Sequence, residues 1–208
     1  NDIPEFGKKY LQATYLTVLF TAPAFVGLAS LSHDITFLLL GHKWMNSVPI
    51  MQIVSAVGFV TSIGYYNHSV MFARDKPEWQ ARLTLVYAIT NVVAFYIFVR
   101  FGLIATALVF SIRTLVLYPV SAWCALTLLN LTFRQYVKEL VTPVICSALM
   151  CMILIAVQRY SVLSESWIGL IIKIAIGAAF YFALIFVFSS GSKKTMIFSL
   201  ARKIIQRG

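Results

Sequence analysis

Hydrophobic and polar positions alternate along this chain in long blocks, not residue by residue. Runs of about 20 apolar residues, the length a helix needs to cross a bilayer core of about 30 Å, recur between short polar breaks marked by Lys, Arg, Gly or Pro. Six such runs can be drawn. They span approximately Leu11–Leu31, with Pro23 as an expected kink, Val48–Phe72, opened by Pro49, and Ala81–Val99. The remaining three are Leu103–Leu126, Leu140–Val157 and Trp167–Phe188. The stretch after the first run reads as a loop, "NLTFRQYVKEL" as a polar, amphipathic connection, and "QRYSVLSES" as the last loop. Residues 1–188 therefore form one membrane domain, and residues 189–208 a basic, amphipathic tail.

Composition agrees with this pattern. Of the 208 residues 60% are hydrophobic and only 12% charged, outside the range of ordinary soluble domains. The fold class is all-α, polytopic membrane protein. The chain begins with Asn1, and "NDIPEFGKKY" has no basic n-region, short apolar core and small-residue cleavage site, so it reads as a fragment lacking its N-terminal part.

The net charge of +10 is accounted for by topology. With an even number of spans both ends share a side, and that side collects Lys8, Lys9, Arg74, Lys76, Arg82, Arg134, Lys138, Lys193, Lys194, Arg202, Lys203 and Arg207. The other side holds only Lys43, Arg100 and Arg159. Cytoplasmic loops carry the excess of Lys and Arg, so both ends are expected in the cytoplasm of a cell with this protein in its inner membrane. Attraction of the tail to anionic lipid headgroups completes the account, and no nucleic-acid partner is needed.

Enzymatic chemistry finds little support. The acids Asp2, Glu5, Asp34, Asp75, Glu78, Glu139 and Glu165 read as loop or terminal residues, and none shares a span with a histidine at ligand spacing. Cys124, Cys146 and Cys151 lie in apolar runs without disulfide or zinc spacing. No metal, cofactor or catalytic residue is expected. His68, in "YYNHSVM", reads as a hydrogen-bonded structural residue. The sequons Asn67-His68-Ser69 and Asn130-Leu131-Thr132 read as chance matches.

Polar residues inside the spans are more informative, because a hydrogen-bonding side chain in hydrocarbon is costly unless it meets another helix or a wet cavity. Gln52, Ser55, Ser62, Tyr66 and Ser69 share one face of the second span, as do Thr84, Tyr87 and Asn91 in the third. These stripes are either interhelical glue or the lining of a polar cavity. Two cations stand out further. Arg113 lies about 15 Å into the fourth span at about 1.5 Å per residue, at the midplane and too deep to snorkel. Lys173, about 9 Å into the sixth, is expected to reach the outer interface with its long stem. The candidate substrate-binding set is Arg113, Gln52, Ser55, Ser62, Tyr66 and Asn91. With no intramembrane acid expected, Arg113 awaits an anionic substrate or a carboxylate from the absent part of the protein.

The stretch "FLLLGHKWMNSVPIMQIVSAVGF", Phe37 to Phe59, resembles the Leu-Leu-Gly-x-x-Trp-x-x-x-x-Pro-x-x-Gln-Ile pattern of Wzx-type polysaccharide flippases, especially the colanic-acid-exporter-like branch. "NHSVMFARDKPEWQARLTLV" is similar to that family's helix end, short turn and restart, and "FVRFGLIATALVFSIRTLVLYPV" to its Gly-containing hairpin, with Thr106 where a Gly or Val is usual. The resemblance covers most of Tyr10 to Val157. It implies the C-terminal part of a two-lobe transporter of the multidrug/oligosaccharidyl-lipid/polysaccharide (MOP, MATE-like) superfamily, partnered by an N-terminal lobe of the same chain. The implied substrate is an undecaprenyl-diphosphate-linked oligosaccharide moved by alternating access, with its diphosphate in a cationic cavity. The rivals are a cation-coupled multidrug exporter of the same superfamily and a non-transporting scaffold or truncated gene product.

Overall fold

The computed structural model describes residues 3–160 and 166–189, so the tail beyond Ser189 and the centre of "QRYSVLSES" lie outside the described residues. Seven α-helices are present among them: α1 (Ile3–Ser30), α2 (Ser32–Leu40), α3 (Val48–Ala73), α4 (Pro77–Phe98), α5 (Leu103–Leu128), α6 (Phe133–Tyr160) and α7 (Trp167–Phe188). All but α2 belong to segments long and apolar enough to cross a bilayer, which makes the chain an all-α polytopic membrane protein with six candidate spans.

The breaks between helices have local causes. Asp75 and Asn130 take positive φ, 53° and 54°, in the turns after α3 and α5, a conformation that Asp and Asn tolerate better than other side-chain-bearing residues. Pro77 then starts α4, where its absent N–H costs no helical bond. Gly41 and Gly102 take φ of 82° and 93°, each beside a 3-10 turn, His42–Ser47 and Val99–Phe101.

Two expectations require correction. The loop expected after the first span contains a two-turn helix, α2, and the polar "NLTFRQYVKEL" is mostly the start of α6. A capping box explains the second: the Gln135 backbone N–H donates to Thr132 Oγ1 at 3.4 Å, while Gln135 Oε1 accepts from the Thr132 N–H at 2.9 Å. The signal Thr-Phe-Arg-Gln satisfies the first backbone donors and lets the helix begin before the apolar run does.

Helix α1 is central, packing on α3 along one side and on α6 along the other; α5 covers α3, α4 lies against α5, and α7 against α6. Two cores follow. One joins α1, α3, α5 and the start of α6 through Tyr10, Val18, Ile63, Val70, Ala122 and Tyr136; the other joins α1, α6 and α7 through Leu19, Cys146, Leu154 and Tyr181. Close approach of α1 and α3 depends on Gly58, where a Cβ would stand 2.3 Å from the Phe25 ring.

Most polar groups in these cores find partners where no water competes, Thr14 Oγ1 on α1 being an exception. Tyr10 donates to Asn67 Oδ1 at 2.7 Å, and Asn67 Nδ2 donates to Ser121 Oγ at 3.1 Å, tying α1, α3 and α5 together. Tyr118 and Tyr136 join hydroxyls across α5 and α6, and Tyr181 donates to the Leu19 carbonyl at 2.7 Å, fastening α7 to α1. Large apolar side chains face outward elsewhere: Val92, Tyr96, Ile168 and Val187 are among the most exposed, the pattern of a surface solvated by lipid.

A cation-bearing cavity between α3, α4 and α5

A cavity of about 240 Å³ opens between α3, α4 and α5, lined by Thr61, Gly64 and His68, by Tyr87, and by Phe110, Arg113, Thr114, Tyr118 and Ser121. The spacing is helical on both main walls, since residues 61, 64 and 68 fall on one face of α3 and 110, 113, 114, 118 and 121 on one face of α5. Gly64 makes room for Tyr118, whose ring lies 3.0 Å from where a Cβ would be.

Arg113 is the charged group of this cavity. Its Nη1 donates to the Tyr87 carbonyl at 2.9 Å, Nη2 approaches Thr114 Oγ1 at 3.5 Å, and the guanidinium lies over the rings of Phe110 and Tyr87 at 5.1 and 5.8 Å. Thr114 in turn donates to the Phe110 carbonyl at 2.8 Å. A central Arg costs roughly 2.5–3.5 kcal/mol on insertion scales, and each cation–π contact returns about 0.5–2 kcal/mol. The charge is thus tolerated by carbonyl, hydroxyl and ring, but not neutralised. Among the described residues no carboxylate lies within ion-pair distance of Arg113, and its buried Nε has no hydrogen-bond partner. A guanidinium carries five N–H donors in a fork suited to carboxylate or phosphate, so capacity for an anion remains.

The other sequence-predicted positions do not join Arg113 in lining the cavity. Gln52 is exposed; Ser55 and Ser62 turn their hydroxyls back to the carbonyls of Met51 and Phe59, both at 2.7 Å. Tyr66 faces α1 and accepts from Thr17 at 3.4 Å, while Asn91 is half-buried on α4 with an unpartnered Oδ1. The face of α3 that meets the cavity is nearly the opposite one, about 150° around the helix, and Thr61 and His68 on α3, with Thr114, Tyr118 and Ser121 on α5, are the polar lining residues that the sequence does not single out. A one-residue step turns a helix by about 100°, so a stripe defined by counting serines and tyrosines points elsewhere than one centred on Gly64. His68 was expected to be hydrogen-bonded; its exposed ring makes no hydrogen bond among the described residues and opens on the cavity.

The second intramembrane cation is arranged differently from expectation. Lys173 does not snorkel outward: it is 4% exposed, and its Nζ lies 2.6 Å from Asp34 Oδ2. Asp34, expected in a loop, is itself 6% exposed because α2 folds against α7 and turns the carboxylate inward. The chain therefore does carry a buried acid, and Lys173 takes it.

The chain is 26% identical over 185 residues to the teichuronic acid biosynthesis protein TuaB of Bacillus subtilis (strain 168), covering 85% of this chain and 37% of that protein. It is 28% identical over 175 residues to an uncharacterized membrane protein in the cps region of Klebsiella pneumoniae, covering 79% of this chain and 34% of that one. The chain thus spans about a third of the length of the curated relatives it matches. No family model matches, and no solved structure matches. The likeness is a distant one, to a protein of teichuronic acid biosynthesis and to a membrane protein of a cps region.

Proposed function

We propose that this chain is part of a flippase that carries an undecaprenyl-diphosphate-linked oligosaccharide across the bacterial inner membrane for polysaccharide biosynthesis. It forms the C-terminal part of a two-lobe MOP-type transporter and works by alternating access, with an N-terminal lobe of the same protein closing the other half of the path. The observation that carries this reading is Arg113: a mid-span guanidinium in a cavity, offered no carboxylate by the described residues. A diphosphate would supply the missing charge through bidentate, charge-assisted hydrogen bonds. The hydroxyls of Thr61, Tyr118 and Ser121 already bond to the Val57 carbonyl, to Tyr136 and to Asn67, and offer a polyhydroxylated neighbour only their remaining capacity.

Similarity to a teichuronic acid biosynthesis protein supports the polysaccharide context. The distribution of Lys and Arg supports cytoplasmic placement of both ends, with the basic tail drawn to anionic headgroups. The roles given to Gln52, Ser55, Ser62, Tyr66 and Asn91 belong to this same proposal, as polar positions the moving substrate meets in other states of the cycle. The test is complementation of a flippase-deficient strain by the full-length protein and by Arg113→Ala and Arg113→Lys. Loss of export with Arg113→Ala and partial retention with Arg113→Lys are expected; wild-type export by Arg113→Ala at normal expression removes the anion role.

A further inference from the structure

The Asp34–Lys173 pair joins positions 139 residues apart, and both side chains are almost fully buried, at 8% and 6% exposure. Burying two charges costs several kcal/mol per ion after relaxation, and an apolar pair of similar volume is commonly as stable or more so. Stability alone therefore gives no reason for charges here. An ionisable pair inside a membrane domain is a candidate for function.

The surroundings of the pair suggest what it does. An apolar hollow of about 390 Å³ lies between α1, α6 and α7, open to the outside past Phe20 and Phe182, and α2 borders one end of it through Ile35, next to Leu31, with Leu154, Ile174 and Gly177 on the other sides. Ile35 adjoins Asp34, and Ile174 adjoins Lys173, so the ion pair sits at the rim where α2 meets α7. Both ends of α2 are bends. Leu31 leaves helical geometry with ψ of 11° while its N–H still donates to the Gly27 carbonyl at 2.8 Å, and Gly41 takes φ of 82°, its N–H closing α2 on the Thr36 and Phe37 carbonyls, with open space where a Cβ would stand. Exposed His33 stands 3.8 Å from Asp34 Oδ1, which puts the carboxylate next to the surface, where it can be hydrated once it parts from Lys173.

We propose that α2 is a movable flap at the end of this hollow, pivoting at Leu31 and Gly41 and latched to α7 by the Asp34–Lys173 pair, and that the pair separates when the transporter changes state. Charges, unlike an apolar contact, can let go into water, and this is the property the two residues contribute. That α2 is held by the pair stands independently of the substrate; the moment of opening rests on the transport reading.

The experiment uses the full-length protein in lipid nanodiscs with Cys124, Cys146 and Cys151 replaced by Ala and spin labels at Leu39 and Ile168, which are 62% and 71% exposed. The label-to-label distance distribution is expected to be narrow in the wild type, longer and broader in Asp34→Asn, and narrow again in the apolar double variant Asp34→Leu/Lys173→Met. Export by that double variant is expected to fall to the level of the flippase-deficient strain. A wild-type distribution in Asp34→Asn overturns the latch; so does wild-type export by the double variant, which would make the pair simple packing. If Asp34→Asn does not fold, the double variant still decides. If the full-length protein does not complement at all, the flippase reading falls and the distances alone decide the flap.

Discussion

Arg113 and Lys173 present the same problem with opposite solutions. Each is a cation in an apolar helix, yet Lys173 is locked at 2.6 Å to a buried carboxylate, whereas Arg113 rests on a backbone carbonyl, a hydroxyl and two aromatic rings. The first arrangement is closed, with its charge cancelled inside the chain. The second is open, with its charge tolerated and available. A cation's depth in the membrane is therefore a poor guide to its role; the partner that cancels it, or the lack of one, is the better guide.

The largest effect is expected at the closed pair. Lys173→Ala leaves Asp34 either buried without its counter-ion or hydrated with α2 released, and is expected to cost up to about 3–5 kcal/mol, read as a fall in thermal midpoint or in folded yield. Arg113→Ala strands nothing and leaves the thermal midpoint close to wild type, while export falls at least about tenfold, the effect of losing about 1.4 kcal/mol of substrate interaction. Equal destabilisation by the two would erase the distinction. A sharper form converts the open site into a closed one. Thr61→Asp places a carboxylate on the cavity wall that Arg113 shares, and export is expected to stop with the thermal midpoint unchanged or raised. Smallest of all, Thr132→Ala, remote from both cations, removes only the cap of α6 and is expected to cost about 1 kcal/mol without altering export.

The sequence shows its spans because lipid imposes one rule on every residue of a crossing helix, and Trp167–Phe188 could be drawn residue for residue. Local caps are also legible once sought: Thr132 and Gln135 announce the start of α6, seven residues before the apolar run. Contacts between distant segments are not. Nothing near Asp34 states that "SHDITFLLL" turns its carboxylate toward a lysine 139 positions later, so a pattern of charges in loops hid a buried acid. The cavity was half legible. Arg113 announces itself by depth, but which face of α3 it meets depends on how two helices rotate against each other, and that is decided by the fit of Tyr118 against Gly64.

Helix α4 gives the cavity an order of assembly. Its most apolar window buries no residue, and it is held chiefly by α5, through contacts that include the Tyr87 hydroxyl on the Leu117 carbonyl at 3.2 Å. Membrane helices insert first and associate afterwards, so the core of α1, α3 and α5 can form before α4 docks. Until it does, Arg113 lacks the Tyr87 carbonyl and one of its two rings and faces hydrocarbon. The short turn through Gly102 keeps α4 within reach of its place, so a membrane-crossing helix with little buried surface is the one that completes the site.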